Sequence, residues 1–168
     1  MIKEVFKKTI EFKKISDFSR GILKELLTDA YAYDERYQLV WGTDWKSFDD
    51  FFFDNLDIAD KAGLITVVDS VPIGLVSWDP RERPDYVQIG HNCLRSTYKG
   101  KGYGKQQLEE AIGRIKEKEV KKIIVTTNVE LLPAQRMYQS VGFIKYQMRK
   151  NDGEAKFSGD YIDLVMEC

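Results

Sequence analysis

Eight consecutive residues, Tyr98-Lys99-Gly100-Lys101-Gly102-Tyr103-Gly104-Lys105, carry the densest chemical signal in the chain. Three alternate glycines let the backbone turn its N–H groups outward and let a ligand approach closely. The stretch that follows, from near Lys105, is strongly amphipathic, so the turn opens a helix. A helix start offers unpaired N–H donors and the positive end of a dipole. Lysines at both flanks and inside the turn add cationic charge. A segment of this kind is suited to hold the phosphates of a polyanion.

The spacing excludes two better-known phosphate loops. A P-loop requires Gly, four residues, then Gly-Lys-Ser/Thr. Counting back from Gly104-Lys105, its first glycine falls on Lys99, and Gln106 stands where the metal-binding hydroxyl should be. The dinucleotide fingerprint Gly-x-Gly-x-x-Gly ends on Gln107 or Lys105 in the two registers available, and neither is glycine. The turn also lies late in the chain, behind several strands, rather than in a first βαβ unit.

The surrounding pattern supplies the elements that must position this turn. Residues 3–12 read as an opening strand with Val5, Ile10 and Phe12 as apolar members. Ser16 or Asp17 can cap a helix carrying Phe18, Ile22, Leu26 and Ala30, and Ser47 a second through Phe48, Phe51, Phe52 and Leu56. Tyr31–Trp45, rich in aromatics and charge, lies between them. Leu64–Val68 and Ile73–Trp78 read as a hairpin about Asp69-Ser70. Pro80–Pro84 is a charged loop, and Tyr86–Leu94 a strand feeding the glycine turn. Leu108, Ala111, Ile112 and Ile115 form the apolar stripe of the next helix. Lys122–Thr127 is a buried strand. Pro133 opens a short helix with Ala134, Met137, Tyr138 and Val141 inward, and Gly142 ends it. Phe143–Met148 and Tyr161–Met166 close the sheet around a loop containing Asn151-Asp152-Gly153. The order predicts a mixed α/β domain over residues 1–168, with helices on both faces of one sheet.

Composition narrows the function classes. The chain has 168 residues, 43% apolar and 32% charged, with a formal net charge of −1, which disfavours broad electrostatic binding to nucleic acid. No apolar stretch is long enough to span a bilayer, and Lys3 and Glu4 stand where a signal peptide needs apolar residues. Cys93 and Cys168 make neither a metal cluster nor a disulfide framework, so a cytoplasmic, reducing location is expected. With a single histidine, His91, no structural metal site is expected.

With these residues in place, the sequence resembles the GNAT superfamily of acetyl-CoA-dependent N-acetyltransferases from first strand to last. Its acetyl-CoA loop, Gln/Arg-x-x-Gly-x-Gly/Ala, is matched by Lys99-Gly100-Lys101-Gly102-Tyr103-Gly104, with lysine in the first place. Its Tyr-x-x-x-Gly-Phe signature is matched by Tyr138-Gln139-Ser140-Val141-Gly142-Phe143. The resemblance implies a largely antiparallel sheet splayed in the middle, the acyl-CoA N-acyltransferase fold. It implies that the main chain from Lys99 to Gly104, with Lys105 beside it, holds the pyrophosphate of coenzyme A. Cys93, Leu94 and Arg95 would pair through their backbone with the pantetheine arm.

The reaction implied is attack of an amine on the thioester carbonyl of acetyl-CoA. By resemblance the N–H of Leu94 is the oxyanion donor and Tyr138 the acid for the departing thiolate, although Tyr138 also sits on an apolar helix stripe that a core tyrosine would share. Gln88 stands where several members carry a glutamate base, and a neutral amide cannot take a proton. His91 titrates in the useful range, but strand alternation puts it opposite Gln88 unless a bulge intervenes. A water chain to Asp34, Glu35 or another carboxylate is an alternative, as is an amine that enters deprotonated. The family asparagine that touches pantetheine is Leu131 here, with Asn128 just upstream.

The acceptor side of such a fold would draw on Tyr31, Tyr33, Glu35, Trp41 and Tyr161, where aromatics and acids suit a cationic amine, either a small molecule or a peptide. The aromatics read equally as core. A homodimer is compatible with the family. The rival from another class is a regulatory module of the same fold that binds acyl-CoA without turnover, motivated by Gln88.

Overall fold

Alternating and continuous apolar runs generate seven strands in one sheet, described by a computed structural model over residues 8–151 and 159–168. Val5 lies outside the described residues, and the opening strand β1 is Ile10–Lys13. After it come helices α1 (Ile22–Ala30), α2 (Glu35–Asp54) and α3 (Leu56–Ala62). Strands β2 (Gly63–Val68), β3 (Val71–Asp79) and β4 (Val87–Leu94) follow. Helix α4 (Tyr103–Ile115), β5 (Lys122–Asn128), α5 (Leu132–Ser140), β6 (Ile144–Arg149) and β7 (Tyr161–Glu167) complete the described order.

The helical region departs from the sequence expectation. Ser16 and Asp17 do not cap a helix; they form a 3-10 turn over Ile15–Asp17. There the Ser16 N–H and hydroxyl donate to the Asp60 carboxylate at 2.9 and 2.6 Å. Helix α1 begins after Gly21, which has no side chain to cap it. Its free N–H groups are met by Asp49 of α2, which accepts from Gly21, Leu23 and Lys24 at 2.8, 2.9 and 3.3 Å. Helix α2 starts at Glu35, well upstream of Ser47, and is capped by Asp34, whose carboxylate accepts the Arg36 N–H. From Glu35 onward the aromatic segment is therefore helix, held against the preceding turn where Tyr31 stacks on Trp45 at 5.6 Å and meets Tyr37 at a tilt at 4.9 Å. Phe48 and Phe52 turn inward, whereas Phe51 is exposed and Leu56 opens α3.

The sheet order is β1-β2-β3-β4-β5-β7-β6. Every neighbouring pair is antiparallel except β4 and β5. Helices cover both faces. Thr66 of β2 bonds to Gln107 of α4, while a Cβ on the preceding-face residue Gly63 would meet Ile15 and Phe52. Leu23, Leu26 and Leu27 fill one side; Leu108, Ala111 and Ile115 fill the other; all are buried. Asp69 and Ser70 both have positive φ, 47° and 68°, which closes the β2–β3 hairpin in a two-residue turn.

The parallel pair decides where a ligand can enter. β4 and β5 meet only at Val87↔Ile123 and Gln88↔Ile124. Beyond those residues β4 stays with β3 and β5 stays with β7, so the sheet is splayed as expected.

Candidate active site

A cleft of ≈ 800 Å³ lies beside the glycine turn, lined by Lys99, Gly100, Gly102, Gly104 and Lys105, the β4 end at Asn92–Leu94, and Pro133, Ala134 and Met137 of α5. Tyr31, Tyr33 and Tyr37 line it from the α1–α2 side. A second cleft of ≈ 250 Å³ shares Tyr31, Tyr37, Asn92, Glu130, Leu131, Ala134 and Met137 with the first. Trp41, His91, Thr126, Asn128, Tyr138 and Tyr161 also line it. The two together occupy the region that the splay opens.

The turn is built to leave main-chain groups accessible. Gly100 and Gly102 have φ of +75° and +87°, a left-handed conformation that side-chain-bearing residues rarely adopt, and an added Cβ would meet nothing within 4 Å. Gly102 is also the N-cap of α4 and brings no capping side chain, so the first N–H groups of that helix have no side-chain cap. Gly104 serves differently. A Cβ there would stand 3.0 Å from Met137 Sδ, so this glycine sets the close approach of α4 to α5.

At the β4 end, Arg95 N–H donates to Ile73 O at 2.7 Å. Alternation then points the N–H groups of Leu94 and Asn92 away from β3, into the splay, and turns that of Cys93 back toward β3. Of the three residues expected to meet a pantetheine arm, Leu94 offers an outward N–H and Arg95 does not. The Arg95 guanidinium is engaged as well, with Pro72 O at 2.7 Å and Glu25 at 2.7 Å. Burial pushes the Cys93 thiol up to about 12, so it stays protonated.

A bulge lies within the β4 strand. Val76 pairs with Asn92 and Trp78 with Ile89, so Gly90 and His91 together oppose Ser77. His91 N–H donates to Ser77 Oγ at 3.0 Å. One extra residue inverts the alternation, bringing His91 to the face of Gln88 and turning Asn92 the other way. The His91 ring packs on Phe48, centroids 4.3 Å apart. Burial lowers its pKa, against a smaller opposing pull from Asp44. Gly90 inside an apolar strand was the sequence signal for this bulge.

Tyr138 is buried, with its ring edge-on to Phe143 at 5.7 Å and its hydroxyl 3.4 Å from Asn92 Nδ2. Burial raises its pKa, partly offset by the Asn92 hydrogen bond. Burial likewise raises the pKa of Tyr31 and of Tyr37, the latter with help from a hydrogen bond to Tyr33.

Several of the expected side chains are engaged within the fold or lie outside the clefts. The Lys99 ammonium donates to the carbonyl of Ala30, the last residue of α1, and lies 4.9 Å from the Tyr33 ring centre. Lys101 is exposed over Tyr98, and Tyr103 packs on the same ring. Glu35 lines neither cleft. Asn128 lines the second cleft, but its amide accepts from Glu130 N–H at 2.9 Å and donates to Gly159 O at 2.6 Å. Asn92, Tyr37 and Glu130, not singled out in the sequence, line both clefts. Among the described residues no group of three or more His, Cys, Asp or Glu side chains could hold a metal ion, and no helix is long and apolar enough to cross a membrane.

Residues 22–143 match the model of the Acetyltransferase (GNAT) family. N-alpha-acetyltransferase 30 of Saccharomyces cerevisiae (strain ATCC 204508 / S288c) is 30% identical over 93 residues, 51% of this chain and 53% of that protein. The chain thus spans about half the length of that relative. The ribosomal-protein-S18-alanine N-acetyltransferase from Escherichia coli has a TM-score of 0.70 at 15% identity, covering 96% of this chain and 94% of that one. The Salmonella typhimurium protein yncA, solved with its cofactor acetyl-CoA, has a TM-score of 0.71 at 14% identity, covering 95% and 93%. At these identities the structural likeness shows the fold, and the family model covers most of the chain. The chain belongs to the Acetyltransferase (GNAT) family.

Proposed function

We propose that this domain transfers the acetyl group of acetyl-CoA to a primary amine by direct attack on the thioester. The observation that carries the reading is the meeting of two clefts at Asn92 and Met137, one beside the glycine turn and one lined by His91 and Tyr138. Acetyl-CoA supplies the activated acetyl group. The residues present fit it: the left-handed turn at Gly100 and Gly102 presents main chain without obstructing Cβ atoms, and the α4 start adds unpaired donors. In this reading the outward N–H of Leu94 donates to the carbonyl oxygen as it gains charge. Tyr138, whose burial keeps it protonated, gives a proton to the departing sulfur. A thiol held protonated at Cys93 supports direct attack rather than passage through an acyl-cysteine.

The acceptor enters through the second cleft. Its wall carries Trp41, Tyr31, Tyr37 and Tyr161, and Glu130 supplies negative charge at the junction, a combination that attracts an ammonium group. His91, neutral at physiological pH, takes the amine's proton. The relative from yeast points to a peptide amino terminus as the acceptor.

The test is thiol release from acetyl-CoA with a panel of amines: tetrapeptides differing in their first residue, free amino acids and a polyamine. We expect turnover on at least one tetrapeptide, reduced about 100-fold by Tyr138→Phe with acetyl-CoA affinity unchanged. Tight acetyl-CoA binding without thiol release on any amine would instead establish a binding module.

A further inference from the structure

The interior of the molecule contains a polar chain that the reaction described above does not use. Gln107 of α4 is fully buried against the middle of the sheet. Its Nε2 donates one hydrogen to Asn92 Oδ1 at 2.8 Å and the other to Leu75 O at 2.8 Å, shared with Cys93 O at 3.2 Å. Its Oε1 accepts from the hydroxyl of Thr66, also fully buried, at 2.7 Å. Asn92 in turn donates through Nδ2 to the Tyr138 oxygen at 3.4 Å.

The direction of every bond in this chain is fixed by its first members. Main-chain carbonyls only accept, so the Gln107 nitrogen must face Leu75 and Cys93. That leaves Oε1 for Thr66, and it presents a donor to Asn92. Asn92 must answer with its oxygen, which leaves its nitrogen for Tyr138. Asn92 is the one hydrogen-bond partner of the Tyr138 hydroxyl among the described residues. The phenol oxygen therefore accepts from the protein, and its own proton is left to point into the cleft.

We propose that Gln107 is a positioning residue for acetyl transfer: by orienting the Asn92 amide, it makes Tyr138 present its proton to the departing sulfur. The same side chain links α4, which opens at the glycine turn, to the tyrosine on α5. This inference rests on the reading of Tyr138 as the acid. At full burial both ends of the Gln107 amide are engaged, and the nitrogen end is spent in part on a side chain that touches Tyr138.

The experiment is a double-mutant cycle of Gln107→Met and Tyr138→Phe, using acetyl-CoA and the best amine from the panel above. We expect Gln107→Met to lower kcat about tenfold, with the KM for acetyl-CoA within about twofold. In the Tyr138→Phe background the same change should cost nothing further, because the proton it directs is gone. Equal losses from Gln107→Met in both backgrounds, or no loss in either, would overturn the proposal while leaving Tyr138 as the acid. Full activity of Tyr138→Phe, or no thiol release with any amine, would overturn the reading of Tyr138 and this inference with it. If Gln107→Met does not fold, Asn92→Asp replaces it in the cycle. A carboxylate there accepts from the phenol and turns its proton inward, so the same loss, confined to the background retaining Tyr138, is expected.

Discussion

His91 is the only histidine of the chain, and its placement shows how one backbone irregularity changes a residue's chemistry. Without the bulge opposite Ser77, alternation would point it away from the face of Gln88. With it, the imidazole reaches the second cleft and rests on Phe48. Burial lowers its pKa, so it is neutral and able to accept a proton at pH 7. We predict that His91→Gln lowers kcat/KM about tenfold or more at pH 7, and that the deficit closes above about pH 9, where a peptide α-amine of pKa about 8 arrives deprotonated. Initial rates across that range decide it; a pH-independent deficit would assign His91 to packing. The shift also has a sign in stability. The unfolded histidine takes up a proton near its ordinary pKa of 6.5 while the folded one resists. The contribution is full above that pH and falls away as acid is added, a slope that His91→Gln should remove from denaturant midpoints measured between pH 7.5 and 5.

Glycines that look equivalent in sequence do different work once the helices are in place. Gly102 needs a left-handed backbone, whereas Gly104 needs the space that Met137 would otherwise contest. Gly102→Val should abolish acetyl-CoA binding in calorimetry and leave the melting temperature within a few degrees, with strain of about 1–2 kcal/mol. Gly104→Val should lower both affinity and stability, because it forces α4 from α5. Unchanged affinity in both would remove the turn from the binding site. Helix α1 gives a third prediction. Its N-terminus is satisfied from another helix by Asp49, so Asp49→Ala should destabilise the domain by about 1–3 kcal/mol in denaturant unfolding, only partly recovered by Asp49→Asn, which keeps one acceptor oxygen and sets an NH2 donor against a main-chain N–H. These elements were unequally legible in the sequence. The glycine turn and the Tyr138–Phe143 signature are local patterns, and local patterns survive without coordinates. The caps of α1 and α2 do not: Ser16 and Ser47 have the right chemistry, but Asp60 claims the first and Asp34 starts α2 upstream of the second. Nor could spacing place Asn92 beside Tyr138 or turn Lys99 onto the end of α1, since both depend on how distant segments meet.

At the scale of the whole molecule, the sheet is two blocks, β1–β4 and β5–β7, laced together at two residue pairs. The outward amides of Asn92 and Leu94 border the gap between them. Hydrogen exchange followed by NMR should show these two amides slowed by acetyl-CoA at saturating concentration, with Arg95, already bonded to Ile73, little changed. Equal protection of all three would indicate general tightening rather than strand-edge pairing. The narrow lacing carries a mechanical consequence. Two slabs joined near one end behave like the jaws of a clothes peg, and whatever lodges between them acts as a shared keel. Occupancy should therefore reach Leu164 and Val165 on the far jaw, which line neither cleft, and slow their opening in step with the near one. The empty domain would unzip in two stages on denaturation, and the loaded one in a single stage.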